Sequence, residues 1–175
     1  HPVELTCTEF YDGSTWTVGS AFTIARRRNV GAGTTCAGLV FAGISPGNVS
    51  STSTQEWTRP EVNPFSCYLP AAWSAGGALI TARHYAAAAG TQNAGLVFGG
   101  VGGSNLSNTE EYDGSSWTAG GALITARCMG GGTGTQNAGL AFGGATFPSP
   151  ADYDLDNVYL YDGLTWTADA RLNCG

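Results

Sequence analysis

A verbatim internal repeat constrains this chain more than any other feature. Residues Ala75–Arg83 return unchanged as Ala119–Arg127, and Gly90–Leu96 return as Gly134–Leu140. Tyr-Asp-Gly stands at Tyr11, Tyr112 and Tyr161, each followed five residues on by Trp16, Trp117 and Trp166; Trp73 fills that place in the remaining unit. The four tryptophans are 57, 44 and 49 residues apart. Arg26, Arg83 and Arg127 each follow a tryptophan by ten residues, and the runs Gly38–Phe41, Gly95–Phe98 and Gly139–Phe142 close the units. A period of this length makes each repeat one supersecondary unit that buries its apolar face only against its neighbours.

The units read as β-structure. Apolar runs of about five residues are bounded by Gly, Asn, Asp and Ser clusters. Tyr-Asp-Gly ahead of Ser-Ser-Trp or Leu-Thr-Trp is a hairpin turn, because glycine accepts positive φ at little steric cost. The alanine run at 86–89 has helical propensity, but its repeat mate is Gly130-Gly131-Gly132. The shared solution is a buried strand of very small side chains, which lets sheets approach closely. The second unit lacks Tyr-Asp-Gly; Gln55-Glu56-Trp57 takes its place, followed by an inserted loop over 58–72 that holds Pro60, Pro64, Pro70 and Cys67.

Double glycines at Gly99-Gly100 and Gly143-Gly144, Glu111-Tyr112-Asp113, Trp117 and Arg127, with their repeat mates, resemble the kelch repeat of β-propellers over nearly the whole chain. The unit is also similar to Tyr-Asp-Gly-x-x-Trp-Thr repeats of phage and environmental fibre or surface proteins. The resemblance implies an all-β fold of four-stranded blades running Arg strand, Gly-Gly strand, Tyr-Asp strand, Trp strand. The expected fold is therefore an incomplete propeller or a β-solenoid, with a β-sandwich as the competitor. The expected units are a half blade at 1–18, blades at 19–75, 76–119 and 120–168, and a tail at 169–175, in one repeat domain. Three and a half units do not close a ring that takes four to eight blades, and a lone hairpin exposes an unpaired edge. The expectation is a self-assembling structural protein, as ring or filament. The alternative is a monomer whose ends meet, stapled by Cys7 and Cys174.

Composition narrows the function classes. Seven Arg and no Lys stand against thirteen acidic residues, a net charge of −6, which argues against nucleic-acid binding. No apolar run reaches the length of a membrane helix. A first residue of His1 reads as a processed or partial chain. Cys7, Cys36, Cys67, Cys128 and Cys174 have no metal-site spacing; two disulfides and one odd thiol would suit a secreted protein or virion surface. Asn48-Val49-Ser50 and Asn105-Leu106-Ser107 are glycosylation candidates.

Catalytic chemistry is sparse. A Ser-His-Asp site would need His84 or His1, and the same two histidines are the only set for a copper site with the N-terminal amine. Asp152, Asp154 and Asp156 are spaced like a calcium loop, without its central glycine or closing glutamate. The remaining expectation is no cofactor and no enzyme. The repeated arginines are expected to pair with acids or backbone carbonyls between blades. The repeated tryptophans are expected to pack between sheets. A glycan-binding reading would use Trp57, Tyr68 and Tyr85.

Overall fold

The computed structural model describes residues 5–11, 13–34, 36–59, 72–146 and 155–172. Among these there is no helix. The chain begins with a hairpin, β1 (Glu9–Tyr11) and β2 (Trp16–Val18), in which Tyr11 faces Trp16 across the ladder. Three antiparallel four-stranded sheets follow, each a meander in chain order. The first holds β3 (Val30–Gly33), β4 (Ala37–Phe41), β7 (Thr54–Thr58) and β8 (Ala72–Ala75), with a small hairpin of β5 (Ile44–Ser45) and β6 (Val49–Ser50) rising from its middle connection. The second holds β9 (Ala87–Thr91), β10 (Ala94–Phe98), β11 (Thr109–Tyr112) and β12 (Trp117–Ala119). The third holds β13 (Gly131–Thr135), β14 (Ala138–Phe142), β15 (Asn157–Tyr161) and β16 (Trp166–Arg171). The described residues form an all-β fold: three four-stranded antiparallel sheets in a row, preceded by a lone hairpin.

The turns form because their residues demand them. Between β11 and β12, the Asp113 carboxylate accepts hydrogen bonds from the Ser115 and Ser116 backbone N–H groups, both at 2.8 Å, and Gly114 takes φ +94°. Those donors hold the Asp113 pKa down at about 2. Asp162 repeats the turn ahead of β16, with Gly163 at φ +89°. The inserted loop is shorter than expected by one residue at each bound, since Thr58 belongs to β7 and Ala72 to β8; residues 60–71, its prolines and Cys67 included, lie outside the described residues.

The arginines do not start the strands. Arg26, Arg83 and Arg127 lie four residues ahead of β3, β9 and β13, in lead-ins that end at Arg28, Tyr85 and Met129 with φ of 56°, 54° and 56°. A non-glycine residue at positive φ breaks a strand. Each guanidinium ties together the blade it leads into, rather than two blades. Arg83 donates to Gly99 O (2.9 Å) and Asn108 O (3.0 Å) and forms a buried ion pair with Glu110. Arg127 donates to Gly143 O (2.8 Å) and lies 4.4 Å from the Tyr159 ring centroid. Arg26 donates to Ser53 O (3.1 Å) and Ser53 Oγ (2.9 Å). Burial lowers the pKa of all three.

The core lies between blades, not within one. Leu39, Phe41, Leu79, Val97, Tyr112 and Trp117 close the gap between the first and second four-stranded sheets, and Leu96, Phe98, Leu123, Ala141, Tyr161 and Trp166 close that between the second and third. The innermost strands β3, β9 and β13 run side by side, which their glycines and alanines permit. A Cβ on Gly132 would stand 2.6 Å from Phe98 and 2.7 Å from the Ala88 carbonyl.

Candidate functional site

The described residues hold no cluster of metal ligands, and the small pocket lined by Tyr85, Phe98, Arg127 and Cys128 is narrow. Their most organised chemistry is at the blade junctions. There, side-chain donors on the later blade meet acceptors on the earlier one, and backbone N–H groups just past the earlier blade's last strand donate back, Gly77 to the Tyr112 hydroxyl (3.2 Å) and Gly121 to that of Tyr161 (3.3 Å). The Trp117 indole N–H donates to Thr54 Oγ1 and that of Trp166 to Thr109 Oγ1, both at 2.9 Å and buried. The Tyr112 hydroxyl donates to Glu56 and the Tyr161 hydroxyl to Glu111. Burial and the adjacent carboxylates push both tyrosines up to about 12. Gln92 donates to Trp57 O (2.9 Å), and Gln136 to Tyr112 O (2.8 Å) and Gly95 O (3.1 Å). Edge contacts of Trp117 with Phe41 (4.9 Å) and of Trp166 with Phe98 (4.8 Å) add aromatic packing. Threonine and glutamate are not singled out by the sequence reading as acceptors; their fixed offset ahead of Trp57 and Tyr112 in two consecutive units is the signal that carries them.

The same Tyr-Trp pair is bare at the start of the row. Tyr11 and Trp16 are 48% and 66% exposed, whereas Tyr112, Trp117, Tyr161 and Trp166 are 0–6% exposed. The ring geometry is already formed, with centroids 5.1 Å apart against 4.9 and 4.8 Å in the buried pairs. Val18 beside them is 84% exposed. Where the hairpin meets the first sheet, Trp73 packs on Phe22 (4.6 Å), but its buried indole N–H has no acceptor among the described residues. The hydroxyl of Thr8, at the repeat position of Thr54, donates instead to Ser20 O (2.6 Å).

The other candidates separate. Cys7, Cys36 and Cys128 are free thiols, so the expectation of two disulfides is corrected. Cys7 and Cys36 are exposed, while Cys128 is buried, its thiol donating to Ala145 O (3.4 Å) with its pKa raised by burial. A Cys7–Cys174 staple is likewise not formed; Cys67 and Cys174 lie outside the described residues. His84 Nδ1 sits 3.0 Å from Ser50 Oγ, and among the described residues no hydrogen bond to a carboxylate orients the ring. Burial, then Arg28 and Arg27, lower its pKa. Two guanidiniums beside an imidazole oppose both an imidazolium intermediate and a metal cation. His1, the copper partner, and Asp152 and Asp154 of the calcium candidate lie outside the described residues. Asp156 accepts from Arg171 (3.2 Å) at the surface.

Of the glycan candidates, Trp57 is 3% exposed against Trp73, so it is closed to a sugar. Tyr85 is half-buried under the Arg28 guanidinium at 4.5 Å, and Tyr68 lies outside the described residues. Asn48 is exposed in the β5–β6 turn, where its Oδ1 accepts from Arg27 (2.5 Å); Asn105 is half-buried.

No family model and no curated protein matches this chain. A solved structure titled "Structure of YjhT" is similar to it, with a TM-score of 0.72 and 14% identity over 94% of this chain and 52% of that one. The chain thus spans about half the length of that structure. At this identity the likeness shows the fold alone: four-stranded antiparallel sheets arranged as in a β-propeller.

Proposed function

We propose that the chain is a structural module of an extracellular fibre, particle surface or cell-surface layer, and that it works by engaging further blades at the bare end of its row. The observation that carries this reading is the Tyr11-Trp16 pair. It has the ring geometry of the buried junction pairs, and no described blade of this chain covers it. An exposed large apolar patch marks an interaction surface, and among the described residues one ladder edge of β1 has no partner strand, the kind of edge that takes up an added strand. The extracellular setting is supported by the two Asn-x-Ser triplets, one of them on an exposed turn.

Oxidative footprinting tests the reading. Trp16 is expected to be reactive in the purified chain and protected in the assembly from which the protein is taken. Equal reactivity in both states overturns it. A second reading, a glycan-binding module, is favoured by the same exposed indole. Saccharides that protect Trp16 in the purified chain would select that reading instead.

A further inference from the structure

We infer that blade junctions follow a residue-pairing rule, and that under this rule the β1–β2 hairpin is built to dock on a blade other than this chain's own β13–β16 sheet. The inference rests on the reading of that hairpin as a docking end and names its partner's chemistry.

The rule comes from the two whole junctions. A receiving blade presents threonine and glutamate two residues apart on its third strand, Thr54 with Glu56 and Thr109 with Glu111. It also presents a glycine three residues past its tryptophan, Gly76 or Gly120. A Cβ on Gly76 would stand 2.7 Å from the Tyr112 hydroxyl, and one on Gly120 2.6 Å from that of Tyr161. The glycine is the floor on which the incoming tyrosine rests. The first junction fits the rule by residue type: Phe10 holds the register position of Glu56, and the next blade brings Trp57, which has no hydroxyl, where the others bring Tyr112 and Tyr161.

The third blade departs at all three places. Register fixes the correspondence: Val158 faces Phe142 as Thr109 faces Phe98 and Thr54 faces Phe41. Leu160 faces Leu140 as Glu111 faces Leu96. Asp169 follows Trp166 by three residues, where Gly76 and Gly120 follow theirs. Leu172, placed like the buried Leu79 and Leu123, accordingly stands 41% exposed. A second copy offering Tyr11 and Trp16 to this face would bury an indole N–H against Val158, would meet Leu160 in place of the glutamate, and would bring the tyrosine hydroxyl against the Cβ of Asp169, where the equivalent glycines leave room. Unsatisfied buried donors are selected against. The partner that fits the hairpin is therefore a blade with a free Thr-x-Glu pair and the glycine floor. In this chain both such pairs are already occupied.

Two measurements test this. The first is independent of assembly. Glu111→Leu, which imitates the third blade, should lower the melting temperature by several degrees, and adding Tyr161→Phe should recover at least half of that loss. No recovery overturns the pairing rule. The second supplies the missing acceptors through the triple variant Val158→Thr, Leu160→Glu, Asp169→Gly. In sedimentation equilibrium it should self-associate at least tenfold more tightly than the parent chain, and Tyr11→Phe should reverse the gain. Equal association of parent and variant, or a gain indifferent to Tyr11→Phe, overturns the inference. If the internal pair recovers while the folded triple variant stays monomeric, the hairpin is not a docking end, and the inference falls with that reading while the rule stands.

Discussion

The Tyr112-Trp117 pair and the Tyr11-Trp16 pair are the same local structure in two surroundings. Both come from a hairpin in which tyrosine and tryptophan face each other across the ladder. One is almost wholly buried with its hydroxyl and indole N–H satisfied; the other is about half exposed or more at both rings. The hairpin sequence makes the pair, and the neighbouring blade makes it stabilising. Repeat stability is held largely in such interfaces.

The comparison can be broken most directly at its aromatic centre. Trp117→Ala should cost about 3–5 kcal/mol, as large aromatic truncations in cores do, whereas Trp16→Ala should change urea stability by less than about 0.5 kcal/mol, as exposed substitutions do. Equal losses would mean that Trp16 is already covered in the isolated chain. A smaller effect is expected from Thr109→Val, which leaves the Trp166 indole N–H buried and unpaired. A buried donor without its partner costs about 1–3 kcal/mol, and Trp166→Phe should lower the further cost of the valine in a double-mutant cycle.

Alkaline titration sharpens the comparison. Tyr112 and Tyr161 titrate near 12 in the folded chain and near 10 when unfolded. A raised folded pKa gives stability that is whole below the unfolded value and is lost as pH climbs through the folded one. Stability should therefore fall between roughly pH 10 and 12. Tyr112→Phe and Tyr161→Phe should each flatten that fall, measured by denaturant melts across the range. The smallest effect belongs to the turn. Asp113, held at about 2, has the opposite sign: its contribution is present above the unfolded value near 4 and fades as pH drops toward 2. Asp113→Asn should remove that acid limb, and carbon-detected NMR of the carboxyl follows it directly.

Much of this was legible in the sequence, for physical reasons that differ by residue. The verbatim Gly-Thr-Gln-Asn and Ala-Gly-Gly-Ala-Leu segments recur because Gln92, Gln136, Gly76 and Gly120 make the same contact with a neighbouring blade each time. The alanine run at 86–89 reads as strand only because its mate is glycine; propensity alone favours helix. The arginine partners were misjudged as lying between blades, because the sequence shows which residue recurs and not toward which strand a long side chain folds back. The cysteines misled for the opposite reason. Cys128 shares a column with Arg27 and His84, a variable position at the blade lead-in, so its burial is local packing and carries no message about redox compartment. Direction was illegible too: nothing in a repeat states that the side-chain donors sit on the later blade and their acceptors on the earlier one.

The small inner strands carry a further consequence. Side-chain bulk increases across each sheet, from Gly131–Thr135 and Ala87–Thr91 at one margin to Trp166 and Trp117 at the other. A slab thin along one side and thick along the other is a wedge, and wedges laid face to face bend their stack toward the thin side. A volume gradient of this kind curves a row of sheets toward its thin margin, and swelling that margin with larger side chains would splay the row toward a straighter form.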